Sequence, residues 1–150
     1  IIKKVSKQFP ETQFLIVGSK SESESASLIA SKCDSARIIN CCGQTSIGEL
    51  VEAIRRSSTM ICNDSGPMHI AAALQKKVFA LFGPTDPEKT GPYGNNHRIF
   101  QAKTDCIKCF SRYCLKNTYD CQKLIDSNQV SLEVSDFLQK ITREKNEKNL

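Results

Sequence analysis

The sequence predicts an α/β fold: a parallel sheet with helices on both faces. Two observations carry this. Short apolar runs of strand length alternate with stretches of helical spacing, and the runs sit next to Gly or other turn residues, as buried parallel strands do. Strand–helix alternation at short spacing implies right-handed βαβ crossovers and a Rossmann-like sheet. With 150 residues and 39% hydrophobic content, the chain is long enough for one domain with its own core.

The elements follow in order. Ile1-Ile2-Lys3-Lys4-Val5 opens in mid-helix and without Met, which reads as the C-terminal piece of a longer protein. Phe9-Pro10 ends that helix. Gln13 to Gly18 is the first strand. Ser21 with Glu24 has the spacing of a capping box for a helix whose apolar residues are Ala26, Leu28, Ile29 and Cys33. Ala36 to Cys41 is the second strand. Ser46 with Glu49 caps a helix in which Ile47, Leu50, Val51 and Ile54 keep an amphipathic spacing. Thr59 to Cys62 is the third strand, Pro67 to Leu74 a helix, and Val78 to Gly83 the fourth strand. From residue 84 to 126 the periodicity gives way to Pro, Gly and Cys, which predicts a long irregular loop region. Val130, Val134, Phe137, Leu138 and Ile141 mark a last helix over 128–142, and the polar tail from Thr142 is expected to fray.

Composition excludes several classes. No apolar run approaches the ~20 residues that span a bilayer, and no secretory leader is visible, so the expected compartment is the reducing cytoplasm. A net charge of +5 is too modest for a disordered chain. The eight cysteines divide into two sets. Cys33, Cys41, Cys42 and Cys62 lie among apolar neighbours and read as small core residues. Cys106, Cys109, Cys114 and Cys121 cluster in a polar, basic stretch, where a tetrahedral structural zinc, free thiols and disulfides all stay open.

Ligands of open parallel sheets bind beyond the carboxyl ends of the strands. Asn63-Asp64-Ser65-Gly66-Pro67-Met68-His69 falls there, after the third strand. Asp64 or Ser65 can cap the helix, Gly66 lets backbone approach a ligand, and Pro67 suits a first helical turn. The N–H groups and dipole of such a terminus favour an anion such as a diphosphate, and they disfavour the charged form of His69. The plainer reading is a good cap with His69 packed into the edge of the core. Gly83-Pro84-Thr85-Asp86-Pro87 follows the fourth strand, where the free Thr85 hydroxyl and Asp86 carboxylate are candidate lining groups or parts of a rigid turn. Glu22, after the first strand, is a weaker ribose candidate or simply an acidic first turn. Neither a Gly-x-Gly-x-x-Gly fingerprint nor a Walker loop is present.

Asn63-Asp-Ser-Gly-Pro-Met-His-Ile-Ala-Ala-Ala73, Ala80-Leu-Phe-Gly-Pro-Thr-Asp-Pro87 and Thr90-Gly-Pro-Tyr-Gly94 together resemble the lipopolysaccharide heptosyltransferases, their type II branch most. So do Gly43-Gln-Thr-Ser-Ile-Gly-Glu-Leu50 and the cysteine-rich run Cys106 to Cys114. The likeness covers about Phe14 to Val130. It implies the C-terminal, donor-binding half of a GT-B glycosyltransferase over 1–150, with the N-terminal acceptor domain and its general base absent and the fragment inactive alone. It implies ADP-L-glycero-D-manno-heptose as donor, the lipopolysaccharide inner core as acceptor, inverting transfer, and no required cofactor. Carried over by position, Asp64, Ser65, Gly66 and His69 contact the donor diphosphate and sugar, with Thr85 and Glu22 as weaker contacts. A GT-B relative using another nucleotide sugar is the alternative.

From Arg98 to Lys123 six basic residues face two acidic ones. This is a solvated loop, or a surface for phosphorylated lipopolysaccharide or for peripheral association with an anionic inner membrane. A zinc-knuckle module for nucleic acid is the rival from another class. Few aromatics interleave with the charges, and such a module explains neither the βαβ pattern nor the Asp64–His69 turn, so no nucleic-acid partner is expected.

Overall fold

The structure, a computed structural model, describes residues 1–33 and 37–147. Its elements are α1 (Ile2–Gln8), β1 (Phe14–Ile16), a 3-10 turn (Lys20–Glu22) running into α2 (Ser23–Ser31), β2 (Ile38–Asn40), α3 (Ile47–Arg56), β3 (Thr59–Asn63), α4 (Gly66–Ala73), β4 (Lys77–Phe82), α5 (Pro87–Thr90), β5 (Arg98–Gln101), α6 (Asp120–Lys123) and α7 (Ser127–Glu147). All strand pairings among the described residues are parallel, β1 with β2 and β3–β4–β5 in that order. This is the α/β, Rossmann-like class that the sequence predicts. The chain divides into two compact units, Ile1–Leu50 with Ser127–Leu150, and Val51–Asp126.

In the first unit, α1 packs on α7. Val5 of α1 is fully buried, and α7 buries Val130, Ser131, Val134, Ser135 and Leu138, a stripe at helical spacing whose two serines are small enough for close approach. Lys4 also bonds the side chain of Asn128. Arg37 closes the turn after α1 by donating to the carbonyls of Ser6 (2.9 Å) and Pro10 (2.7 Å). Asn40, at the end of β2, donates to Ser23 O and Ser27 Oγ of α2 and accepts from Cys42 N–H. Gly43 adopts φ +70°, and a Cβ there would lie 2.7 Å from Lys20 Cα, so both conformation and space call for glycine.

In the second unit, β4 is the central strand of its sheet and buries Val78, Phe79, Ala80 and Phe82, a near-continuous run instead of an alternation because both faces are covered. α4 lies against β3 and β4 through Met68, Ala71 and Ala72. Phe100 of β5 and Ala102 complete this core.

Several expectations need correction. The capping box lies two residues earlier than Ser21–Glu24: Ser19 and Glu22 form it, because the chain enters α2 through the 3-10 turn. The Ser46–Glu49 box forms as expected, with Glu49 Oε2 accepting from Ser46 N–H (2.8 Å) and Oγ (2.7 Å). Leu28 (56% exposed) and Ile47 (78%) face solvent, so only Ala26 of the expected α2 residues and Ile54 of the expected α3 stripe are buried. Of the four cysteines read as core, Cys42 alone is buried, and Cys33, Cys41 and Cys62 are half-buried. The region 84–126 is not wholly irregular: it contains α5, α6 and β5, the third strand of its sheet. The last helix runs on to Glu147 instead of ending at 142. The expected strand start at Ala36 and the tail residues 148–150 lie outside the described residues. Among the described residues no helix is long and apolar enough to cross a membrane.

Phe82 is fully buried while Leu132 is largely exposed. Phe82→Ala is expected to cost about 3–5 kcal/mol, read as a lower urea midpoint, and Leu132→Ala less than about 0.5 kcal/mol.

Candidate functional site

The site is built on two neighbouring carboxyl ends. β3 and β4 run parallel with Asn63 opposite Leu81, so the turn Asp64–Ser65 and the loop Gly83–Asp86 leave the same edge of the sheet side by side. Asp64, Ser65, Gly66 and His69 sit on the first of these, and Thr85 on the second. The structure therefore brings Asp64, Ser65, Gly66, His69 and Thr85 to one edge of the second unit, and Glu22 lies in the first unit.

The start of α4 is unusual in what is missing from it. Ser65 occupies the N-cap position with extended backbone (φ −161°, ψ 162°), yet no side chain caps the helix. Its hydroxyl turns back to Asn63 O at 3.3 Å. The Asp64 carboxylate points the other way and accepts from Thr90 Oγ1 at 2.8 Å. Met68 N–H is taken by Ser65 O (3.1 Å) and Pro67 has no N–H, while Gly66 N–H has no hydrogen bond among the described residues. Two residues suited to capping are thus held away from the cap, and an open backbone donor and the helix dipole remain at the helix start. Gly66 has no atom within 4 Å of where a Cβ would stand, so its backbone is open to approach. His69 is exposed on the first turns of α4.

A network holds the second loop in place. Thr90 ends α5, and its hydroxyl also lies 3.1 Å from Asp86 O. A hydroxyl carries one proton, and the shorter bond to an ionised carboxylate is the stronger of the two. Asp86 is buried, caps α5 by accepting from Glu88 N–H (3.1 Å), and pairs with Lys108 Nζ at 2.9 Å. The Lys108 bond, more than the cap, holds the Asp86 carboxyl below the usual carboxylate range, and the same bond raises Lys108. Gln101 Nε2 of β5 donates to Gly83 O (3.2 Å) and Thr85 O (2.8 Å), and Phe110 N–H donates to Pro84 O (2.9 Å). The loop is fixed through its carbonyls, and the Thr85 hydroxyl is left buried and unpartnered among the described residues. Gly91 closes α5 where a Cβ would fall 2.3 Å from Pro87 O.

Thr90, Lys108 and Gln101 are thus positioning residues that the sequence reading leaves unassigned, and the Asp86 carboxylate, expected free to line the crevice, is instead buried and paired. Asp86-Pro87-Glu88 carries a legible signal, an N-cap followed by Pro in the first turn. The reach of Lys108, eighteen residues past α5, has none. Cys62 lies between the core and this site; burial, reinforced by the charge of Asp64, pushes its thiol up to about 12, so it stays protonated at neutral pH.

Glu22 is first a capping residue. Its Oε2 accepts from Ser19 N–H (2.8 Å) and Oγ (2.6 Å), and these bonds lower its pKa. In the cysteine cluster, Cys114 Sγ accepts from Tyr119 N–H at 3.4 Å, and this bond, with further donors from Lys116 and Thr118, lowers its pKa. Burial first, then the charges of Cys106, Cys109 and Cys114, raise Cys121. The thiols are free, and among the described residues no three His, Cys, Asp or Glu side chains are gathered to hold a metal ion. Of the states that the spacing of Cys106, Cys109, Cys114 and Cys121 leaves open, the structure describes free thiols.

The depressed Asp86 carboxyl makes a signed prediction. Its contribution to stability is present above the unfolded carboxylate value of about 3.9 and is lost as pH falls through the lower folded value. Urea midpoints measured from neutral to acid pH should fall below about pH 4, and Asp86→Asn should flatten that acid limb.

The lipooligosaccharide heptosyltransferase 2 of Campylobacter jejuni serotype O:6 is 32% identical over 136 residues, covering 87% of this chain and 43% of that protein. The enzyme of the same name from Haemophilus ducreyi is 48% identical over 56 residues, 36% of this chain and 16% of that protein. Among solved structures, Escherichia coli ADP-heptose lps heptosyltransferase II aligns with TM-score 0.62 and 25% identity over 87% of this chain and 40% of that one. A family 9 glycosyl transferase from Veillonella parvula shares the fold with TM-score 0.73 over 91% of this chain and 40% of that one, at 23% identity. The chain thus spans less than half the length of these relatives. Residues 3–120 match the model of glycosyltransferase family 9 (heptosyltransferase), and the chain belongs to that family.

Proposed function

We propose that this chain is the donor-binding, C-terminal half of a GT-B heptosyltransferase. It takes ADP-L-glycero-D-manno-heptose for transfer to the lipopolysaccharide inner core at the cytoplasmic face of the inner membrane. The observation that carries this reading is the uncapped start of α4: Asp64 is held by Thr90, Ser65 by Asn63 O, and Gly66 N–H is open. Family membership supplies the reaction class, and the names of the relatives supply the heptose and its acceptor.

In inverting sugar transfer the anomeric carbon passes through an oxocarbenium-like state while charge builds on the departing diphosphate. An open N–H and an aligned helix dipole at the diphosphate stabilise that charge without reorganising, which is where electrostatic catalysis is strongest. On this reading the Gly66 N–H and the start of α4 receive the phosphates, His69 donates to them or to the sugar, and the orphaned Thr85 hydroxyl finds its partner on the ligand. The general base that deprotonates the acceptor comes from an N-terminal domain, so this half binds donor without turning over. Because the turn reads the diphosphate and not the sugar, a family relative that uses another nucleotide sugar is the second reading.

Isothermal titration tests both. ADP and ADP-heptose should bind, ADP-heptose more tightly than UDP- or GDP-sugars. Gly66→Ala meets no protein atom, so it should leave stability unchanged or slightly raised while weakening ADP about tenfold or more by filling the phosphate space. His69→Ala should weaken ADP-heptose by a similar factor. Unchanged affinity in Gly66→Ala would contradict the site, and equal affinity for other nucleotide sugars would favour the second reading.

A further inference from the structure

The site uses none of the exposed apolar side chains between Phe110 and Leu124. They follow Lys108, whose charge is taken up by Asp86, and they lie in one stretch of the second unit. Leu115 is 92% exposed and Tyr113 72%, with Phe110, Tyr119 and Leu124 also open to solvent. A single exposed leucine is ordinary on a protein surface. Five large apolar side chains within fifteen residues, in a stretch that also carries Arg112, Lys116 and Lys123, are not.

The tip of this stretch is built and held. Asn117 N–H donates to Cys114 O (3.1 Å), closing a turn with Leu115 and Lys116 at its two central positions. Tyr119 N–H reaches Cys114 Sγ (3.4 Å) from the far side, and Ser111 Oγ donates to Tyr113 O (2.5 Å) on the near side. The base is tied to the sheet loop through Phe110 N–H and Pro84 O, and Lys89 Nζ lies 5.7 Å from the Phe110 ring. Arg112 and Lys116 are exposed and make no ion pair among the described residues, as do Lys103 and Lys123. The carboxylates of the same stretch are Asp105 and Asp120, so cations outnumber them.

We infer that the turn Tyr113–Asn117 is a membrane-docking tip: Leu115 and Tyr113 enter the headgroup region of a bilayer while Arg112 and Lys116 meet anionic phospholipid. Tyrosine suits that depth because its ring is apolar and its hydroxyl polar, and leucine adds apolar area. Neighbouring cations supply the attraction that one or two apolar side chains lack, each Lys or Arg near an anionic surface being worth about fivefold in binding. A turn already braced by its own hydrogen bonds loses little freedom on docking. The inference does not rest on donor binding, since none of these residues belongs to the Asp64–His69 site.

Cosedimentation with vesicles decides it. The protein should pellet with phosphatidylcholine vesicles containing phosphatidylglycerol, not with phosphatidylcholine alone, and should be released by salt. Leu115→Asp and, separately, Arg112→Gln with Lys116→Gln should each reduce binding about tenfold or more, with ADP affinity and urea midpoint unchanged. Equal binding to neutral vesicles would overturn the inference. So would anionic binding that ignores Leu115→Asp, because the contact would then be electrostatic without insertion, or an absence of pelleting at low salt.

Discussion

The hydrogen bond from Thr90 to Asp64 is the contact on which the proposed site depends. It joins the turn after β3 to the helix after β4, two segments that the parallel sheet brings to one edge but does not itself connect. The bond also decides what Asp64 does. An aspartate next to an N-cap position normally has the helix start as its nearest source of donors. With its Oδ2 on Thr90 and the Ser65 hydroxyl on Asn63 O, the start of α4 keeps an open N–H and its dipole. The helix gives up a cap worth about 1 kcal/mol, and its start keeps the open donor that the proposed anion site requires.

Thr90 can act this way because α5 is itself immobilised. Asp86 caps it and is in turn gripped by Lys108, Gly91 closes it where no side chain fits, and Gln101 and Phe110 hold the preceding loop by its carbonyls. The long segment after β4 is therefore a brace in its first part and an exposed basic tip in its second. Burial in this unit is concentrated in β4 and α4, so the rigid core lies directly beneath the two turns.

Much of this was legible in the sequence, and the misses have physical causes. β4 is legible because a buried parallel strand is a continuous apolar run, half-buried β3 because its short apolar run ends at turn residues, and α4 because turn residues bracket it. β5 is not legible, because four residues with one buried side chain, Phe100, carry no period. The α3 stripe misled because periodicity reports an apolar face without saying what covers it, and Ile47 is open. In the site, Asp64-Ser65-Gly66-Pro67 announced a helix start, but whether those side chains cap it depends on Thr90, twenty-six residues away from Asp64. The four clustered cysteines show a further limit: spacing leaves zinc, free thiols and disulfides open and does not choose among them.

The most direct test of the central claim follows the Gly66 amide by NMR while inorganic pyrophosphate is added to the native protein and to Thr90→Val. In the native protein the Gly66 resonance should move the most, together with its α4 neighbours. In Thr90→Val the released Asp64 should compete for the helix start, and both the shift and the affinity should fall. A Gly66 amide that stays in place on saturation, or identical titrations for the two proteins, would contradict the account.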